Sequence, residues 1–166
     1  IASYLARVQY SYAGKYMLSG AIRTDGSSRF GKNNRWGYFP AFSIGWIINR
    51  ESFLRDYTWI DNIKIRGSIG QTGSTNIDDF SYRQFYVTNG QYAGNSSIIL
   101  QDLLPNKGIR WEKTTEYNIG LDFSFFNHRL YGNVDFYLRN TDGALAPAPH
   151  ILESGMKTYY DNIVDL

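Results

Sequence analysis

Hydrophobic and polar positions along this chain alternate with a period of two. The clearest stretch is 111–125. From Tyr117 onward its odd positions, Tyr117, Ile119, Leu121, Phe123 and Phe125, are all apolar. Its even positions, from Glu112 to Ser124, are polar or glycine throughout. Successive side chains of a strand point to opposite faces, so the pattern predicts a strand that parts an apolar phase from a wet one. At 3.3 Å per residue the stretch reaches about 50 Å, where about 9–11 tilted residues suffice to cross a bilayer. Segments 3–10, 16–23, 41–48, 63–70 and 130–139 alternate in the same way. Six strands are predicted.

The connections sort by length. Tyr12-Ala13-Gly14-Lys15 and Phe126-Asn127-His128-Arg129 read as tight turns. Segment 49–62 is compact and predicts a short helix, with Asn49 as N-cap, Glu51 in the first turn, and Phe53 and Leu54 following. Between these lie 24–37, 71–110 and 141–159, all long. In an up-and-down sheet alternate connections share an end, so one end is trimmed and the other carries large loops. Membrane-spanning barrels show that asymmetry, and a soluble sandwich has no reason to. The predicted fold class is therefore all-β: antiparallel up-and-down strands forming a six- or seven-stranded part of a large transmembrane barrel. Too few for closure on their own, they leave both sheet edges open.

Composition sharpens this picture. Of 166 residues, 43% are hydrophobic and 17% aromatic, with 14 Tyr, 10 Phe and 4 Trp. Yet mean hydropathy is −0.39, as two-faced strands would give. No run approaches the roughly 18 apolar residues of a spanning helix. With 17 basic and 15 acidic residues the net charge is +2, too weak a field to argue for nucleic acid. There is no Cys, and His128 and His150 are the only histidines, so thiol chemistry and His-rich metal sites have no basis. The chain begins at Ile1 directly in a strand-like stretch, which reads as an internal piece of a longer exported chain, residues 1–166 being part of one barrel domain.

Candidate chemistry is sparse. Glu112 and Glu116 share a face about 13 Å apart, beyond the 5–9.5 Å of glycosidase pairs, and read as solvated charges facing a lumen. Asp78-Asp79 reads as solvated loop, with cation binding as the alternative. No G-x-S-x-G motif or phosphate-binding glycine loop occurs, and both histidines read as exposed. No enzyme and no cofactor is predicted. Segment 71–110 is more promising. Tyr82, Phe85, Tyr86 and Tyr92 interleave there with Arg83, Gln84, Asn89 and Gln91. Aromatic faces beside amides and guanidinium suit sugar rings or peptide; the alternative, which weighs more, is that these aromatics pack the loop against itself or against neighbouring loops. Trp36, Tyr38 and Phe39 lie at a predicted strand end, where membrane-girdle or rim packing competes with ligand contact. The candidate substrate-binding residues are Tyr82, Arg83, Tyr86, Tyr92 and Trp36.

Three separated motifs carry a family resemblance. The first is Asp25-Gly26-Ser27-Ser28-Arg29-Phe30-Gly31, followed by Asn34-Arg35-Trp36-Gly37, Phe39-Pro40 and Gly45-Trp46. The second is 63–73, Ile-Lys-Ile-Arg-Gly-Ser-Ile-Gly-Gln-Thr-Gly. The third is Trp111-Glu112-Lys113-Thr114-Thr115 through Asn118-Ile119-Gly120-Leu121-Asp122, then Asn127, Arg129-Leu130, Tyr137 and Thr141. Together they resemble the SusC/RagA branch of TonB-dependent outer-membrane transporters of Bacteroidetes. One departure is Val164 after Asn162-Ile163, where the family usually has Gly; a seventh strand after Tyr159 is therefore unplaced. The resemblance implies a barrel of about 22 strands in the bacterial outer membrane, importing glycans or peptides. It also implies a plug and TonB-binding segment N-terminal to Ile1, and a SusD-like surface lipoprotein as lid. The lumen face would hold the even residues of 111–125 with Asn133, Asp135 and Tyr137. The lipid face would hold Ile119, Leu121, Phe123, Phe125, Val134, Phe136 and Leu138. The rival reading is a soluble extracellular β-domain that binds carbohydrate through an aromatic face.

Overall fold

A computed structural model describes residues 1–54, 56–79, 81–100, 103–149 and 158–164. Within strands, the side chains of 89, 92, 96, 99, 100, 103 and 164 are outside that description. Six long strands form one antiparallel meander: β1 (Ala2–Tyr12), β2 (Tyr16–Gly26), β3 (Trp36–Ile47), β4 (Ile60–Ser74), β8 (Glu112–Phe125) and β9 (Leu130–Asp142). Between β4 and β8 lie a hairpin of β5 (Tyr86–Tyr92) with β6 (Asn95–Leu100), and the short β7 (Leu103–Leu104). After β9 come β10 (Ala144–Pro149) and β11 (Thr158–Val164), which pair antiparallel, while β7 joins β11 in parallel. The six predicted strands are all present, and the long connections hold further strands.

The two faces are as alternation predicts. Cross-strand register puts Ile65, Leu121 and Val134 in one row, and Ile69, Tyr117 and Leu138 in another. With Val8, Leu18, Ile22, Phe42, Ile44, Ile119 and Phe136 these side chains are exposed, Phe136 at 73%. An apolar face continuous over six strands does not belong to a free-standing soluble domain, which removes the soluble rival. Aromatic rows bound it. Tyr4 stacks on Trp36 at 6.1 Å near the long-loop end. At the short-turn end Tyr12, Tyr16 and Trp46 stack in series at 6.5 and 6.3 Å, and Trp59 lies 5.5 and 5.8 Å from Phe125 and Phe126. Trp36 and Trp46 are about 33 Å apart along β3. At a strand tilt of about 40° that is about 25 Å of height, the depth of an outer-membrane apolar band. The opposite face is polar, and hollows of about 570 and 800 Å³ lie against it.

The turns follow from their residues. Ala13 and Gly14 both take positive φ, 52° and 64°, at the centre of a turn closed by the Lys15 N–H on the Tyr12 carbonyl at 3.0 Å. The helical element in the β3–β4 connection is a 3₁₀ turn, Ile48–Arg50. Asn49 lies inside it and is not its cap. The Asn49 amide instead donates to the Asp61 carbonyl at 2.9 Å and accepts from the Ile63 N–H at 3.2 Å, tying the turn to β4. The strand predicted after Tyr159 exists as β11, but it extends the small sheet and not the meander.

The predicted loop 24–37 is shorter than expected, because β2 and β3 stay paired as far as Gly26 and Trp36. By contrast, β3 leaves β4 beyond Ala41 and Gly70, although β4 and β8 remain paired to Ser74 and Glu112. The sheet thus splits near the loops. Phe39 fills the split, and a methyl on Gly37 or Gly73 would strike its ring. Phe30, Ile77, Ile109 and Trp111 close around it, with Leu145 and Tyr160 against them. This is where the buried core sits. Phe39, read from sequence as a rim aromatic, is its centre.

Candidate functional site

Functional polar groups occur in three places: the polar wall, the long-loop end and the short-turn end. On the wall, one cross-strand row runs Gln9, Ser19, Ser43, Ser68, Asn118, Tyr137. It is neutral and hydroxyl-rich across all six strands. Charges gather beside it on β4, β8 and β9. Arg66 Nη2 is 3.0 Å from Asp122 Oδ1 and 3.0 and 3.1 Å from the two Asp135 oxygens. Arg139 Nη2 donates to Glu116 Oε2 at 2.7 Å. Gly120 leaves room for the guanidinium, since a Cβ there would sit 2.5 Å from Asp135 Oδ1 and 2.8 Å from Arg66 Nη2. These pairs are substantially wet, so each is worth about 0–1 kcal/mol; they hold charge in place more than they hold the fold. Glu116 faces the polar side as read from sequence, but is ion-paired. Glu112 is also engaged, accepting the Leu145 N–H at 3.1 Å.

At the long-loop end the Asp25–Gly31 motif is a staple. Arg23 Nε donates to Asp25 Oδ2 at 2.8 Å, the Arg29 N–H to Ser27 Oγ at 3.2 Å, and Phe30 enters the core. The Arg29 side chain then reaches Asp79 Oδ1 and the Thr75 carbonyl, both at 2.8 Å. Three asparagines complete the roof. Asn34 donates to the Gly108 and Ile109 carbonyls, and Asn106 to the Tyr160 carbonyl and Asp161. Asn162 brackets Arg110, accepting its N–H and donating to its carbonyl, and also donates to the Gly143 carbonyl at 2.7 Å. Sequence reading marked Asn34 and Asn162 only as parts of family motifs, without a role, and did not mark Asn106 at all.

The candidate substrate residues fall in different places. Tyr82 is largely buried, at 9% exposure, with the Arg83 guanidinium 5.2 Å from its ring centre. Tyr86 begins the β5–β6 hairpin and is 72% exposed. Tyr92 ends β5, and its side chain lies outside the described residues. Trp36 stands apart from these, on the apolar face against Tyr4. Asp79 is taken by Arg29, and among the described residues no group of three metal-ligating side chains occurs. His150 lies outside the described residues. His128 is exposed in its turn, with Nδ1 2.7 Å from Ser124 Oγ. Asp61 meets the His128 backbone N–H and not the ring, so no triad forms.

At the short-turn end Glu51 is a hub. Its carboxylate accepts Lys15 Nζ at 2.9 Å, the Tyr16 hydroxyl at 2.7 Å and Trp46 Nε1 at 3.2 Å. Three donors to the charged form, Lys15 foremost, pull its pKa from 4.5 to about 2. Tyr16 and Trp46 are members of the aromatic row, so Glu51 fixes that row to the turn beneath it.

A profile of the family "TonB dependent receptor-like, beta-barrel" matches residues 2–165. The chain belongs to that family. Its members are outer-membrane transporters and not enzymes. Among similar proteins, the TonB-dependent receptor SusC of Bacteroides thetaiotaomicron is 43% identical over 151 residues, covering 87% of this chain and 15% of SusC. The TonB-dependent receptor P39 of Formosa agariphila is 37% identical, covering 98% of this chain and 16% of that protein. The solved structure of the RagAB peptide importer in its closed-closed state matches with a TM-score of 0.90 at 28% identity, over 98% of this chain and 18% of that one. The chain therefore spans about one-sixth of the length of such relatives. As a segment of a TonB-dependent receptor barrel, the chain belongs to a family of the outer membrane, and its two-faced strands are those of a barrel wall.

Proposed function

We propose that this segment is wall and extracellular platform of an importer that takes up oligosaccharide or peptide across the outer membrane. The observation that carries this is the two-faced sheet with its longest excursion, 75–111, and the β10–β11 strands at one rim. A neutral hydroxyl row beside fixed ion pairs is a surface that hydrated, hydroxyl- or amide-bearing cargo wets without being trapped by free charge. Cargo is first met at the outer loops, where the exposed Tyr86 ring offers aromatic area. The likeness to SusC and to RagAB supports a SusD-like surface lipoprotein as lid, and energy coupling through TonB acting on a plug elsewhere in the protein.

The experiment is uptake by cells carrying the full-length transporter with its lid protein. Labelled oligosaccharides and peptides are supplied in TonB-competent and TonB-deficient strains. TonB-dependent accumulation of either class is the expected result. Accumulation of neither, or accumulation indifferent to TonB, overturns the reading.

A further inference from the structure

Four cations that the site described above does not use gather at the long-loop end: Lys32 and Arg35 in the loop after β2, and Lys107 and Arg110 in the stretch before β8. All four are exposed. Asn34 brings the two segments together by donating to the Gly108 and Ile109 carbonyls at 3.2 and 3.1 Å, and a Cβ on Gly31 would sit 3.2 Å from the Lys107 carbonyl oxygen. We propose that this cluster grips the phosphates of anionic lipid headgroups in the outer leaflet of the membrane. From the importer reading the proposal takes only that the long-loop end faces outward; it holds whatever the cargo.

Position and pairing carry the choice. Trp36 stacks on Tyr4 at the long-loop border of the apolar face, and Arg35 is the next residue of the chain beyond it. Headgroups occupy about 5–8 Å beyond the hydrocarbon on each side. Lysine and arginine stems lie along apolar surface while their charges reach the polar layer. Among the described residues none of the four side chains is ion-paired. Arg29, in the same loop, is committed to Asp79 and the Thr75 carbonyl. The carboxylates of the same block are committed too: Asp25 to Arg23, and Asp161 to the Asn106 amide and the Asn162 N–H. Like charges gathered on one surface repel, and an anion relieves that repulsion. A phosphate monoester offers a charge near −2 and three acceptor oxygens, which several lysine and arginine donors can share. None of the four lines the hollows of about 570, 800 and 530 Å³, which points away from dissolved cargo and toward the membrane beside Trp36.

The test uses the full-length transporter with its lid protein in detergent, with bound lipid read by native mass spectrometry. It is titrated with diphosphorylated lipid A, with the same lipid stripped of phosphate, and with inorganic pyrophosphate. Lys32→Gln, Arg35→Gln, Lys107→Gln and Arg110→Gln are compared with wild type and with Arg7→Gln on the polar wall, and heat-modifiable gel mobility confirms a folded barrel. The expected result is saturable binding of the diphosphorylated lipid alone, weakened about fivefold by each of the four substitutions and unchanged by Arg7→Gln. Equal binding of the stripped lipid, pyrophosphate binding as tight as the lipid's, or equal affinity in all five variants overturns the proposal. So does loss of the co-purifying lid protein in the four variants, which would assign the patch to the lid. Each of these failures leaves TonB-dependent uptake standing, whereas loss of that uptake in wild type would sink the importer reading and leave the lipid titration as it was.

Discussion

Single side chains decide how this wall is held at its two ends. Near the loops, Gly73 exists to admit Phe39. Gly73→Ala would overpack the split, and we expect a loss of about 1–3 kcal/mol, read as a lower urea midpoint for the full-length barrel, with partial recovery in Gly73→Ala/Phe39→Leu. At the other end, Glu51 titrates far below an ordinary carboxyl. A depressed folded pKa means its stabilisation is complete above about pH 4.5 and is lost as pH falls toward 2. The urea midpoint should therefore decline across that window. In Glu51→Gln that part of the decline should vanish; an identical decline would show that the hub contributes nothing. Neither residue's role was legible in the sequence. Gly73 and Phe39 are 34 positions apart, and the donors to Glu51 come from the β1–β2 turn, β2 and β3. Pattern reading sees which face a residue takes within its own strand, and is blind to what a second segment lays on it.

At the scale of elements, alternation was a sufficient guide wherever a strand has lipid on one side and water on the other. β8 and β9 were readable for that reason. Near the loops both sides are covered or wet, the solvents no longer differ, and the signal fades. That is why the upper ends of β2 and β3 and the strands within 71–110 were read as loop. The two-faced strand can be tested directly. Ile119→Arg at mid-band should cost about 2–4 kcal/mol, while Asn118→Arg, one residue away on the wet face, should be near neutral. Equal losses would refute the assigned faces. The ion pairs on the polar wall, one of which reaches from β4 across β8 to β9, invite a double-mutant cycle. Arg66→Met and Asp135→Asn should couple by at least about 0.5 kcal/mol, and strict additivity would mean that their contact is unimportant.

For the whole molecule, two kinds of construction meet at the outer rim. Loops 27–35 and 105–111, strand β11 and the kink at Gly143 are knitted through asparagine side chains into a block seated on a buried core. The candidate residues were only half legible for the same reason: Tyr82 and Trp36 look alike in a sequence, yet one faces a roof and the other lipid. The β5–β6 hairpin is built differently, since among the described residues its strands find their main contacts in each other. A protrusion of that kind can change length or chemistry between descendants while the masonry below keeps its shape. Variation at such a fingertip is thereby uncoupled from the integrity of the masonry that carries it.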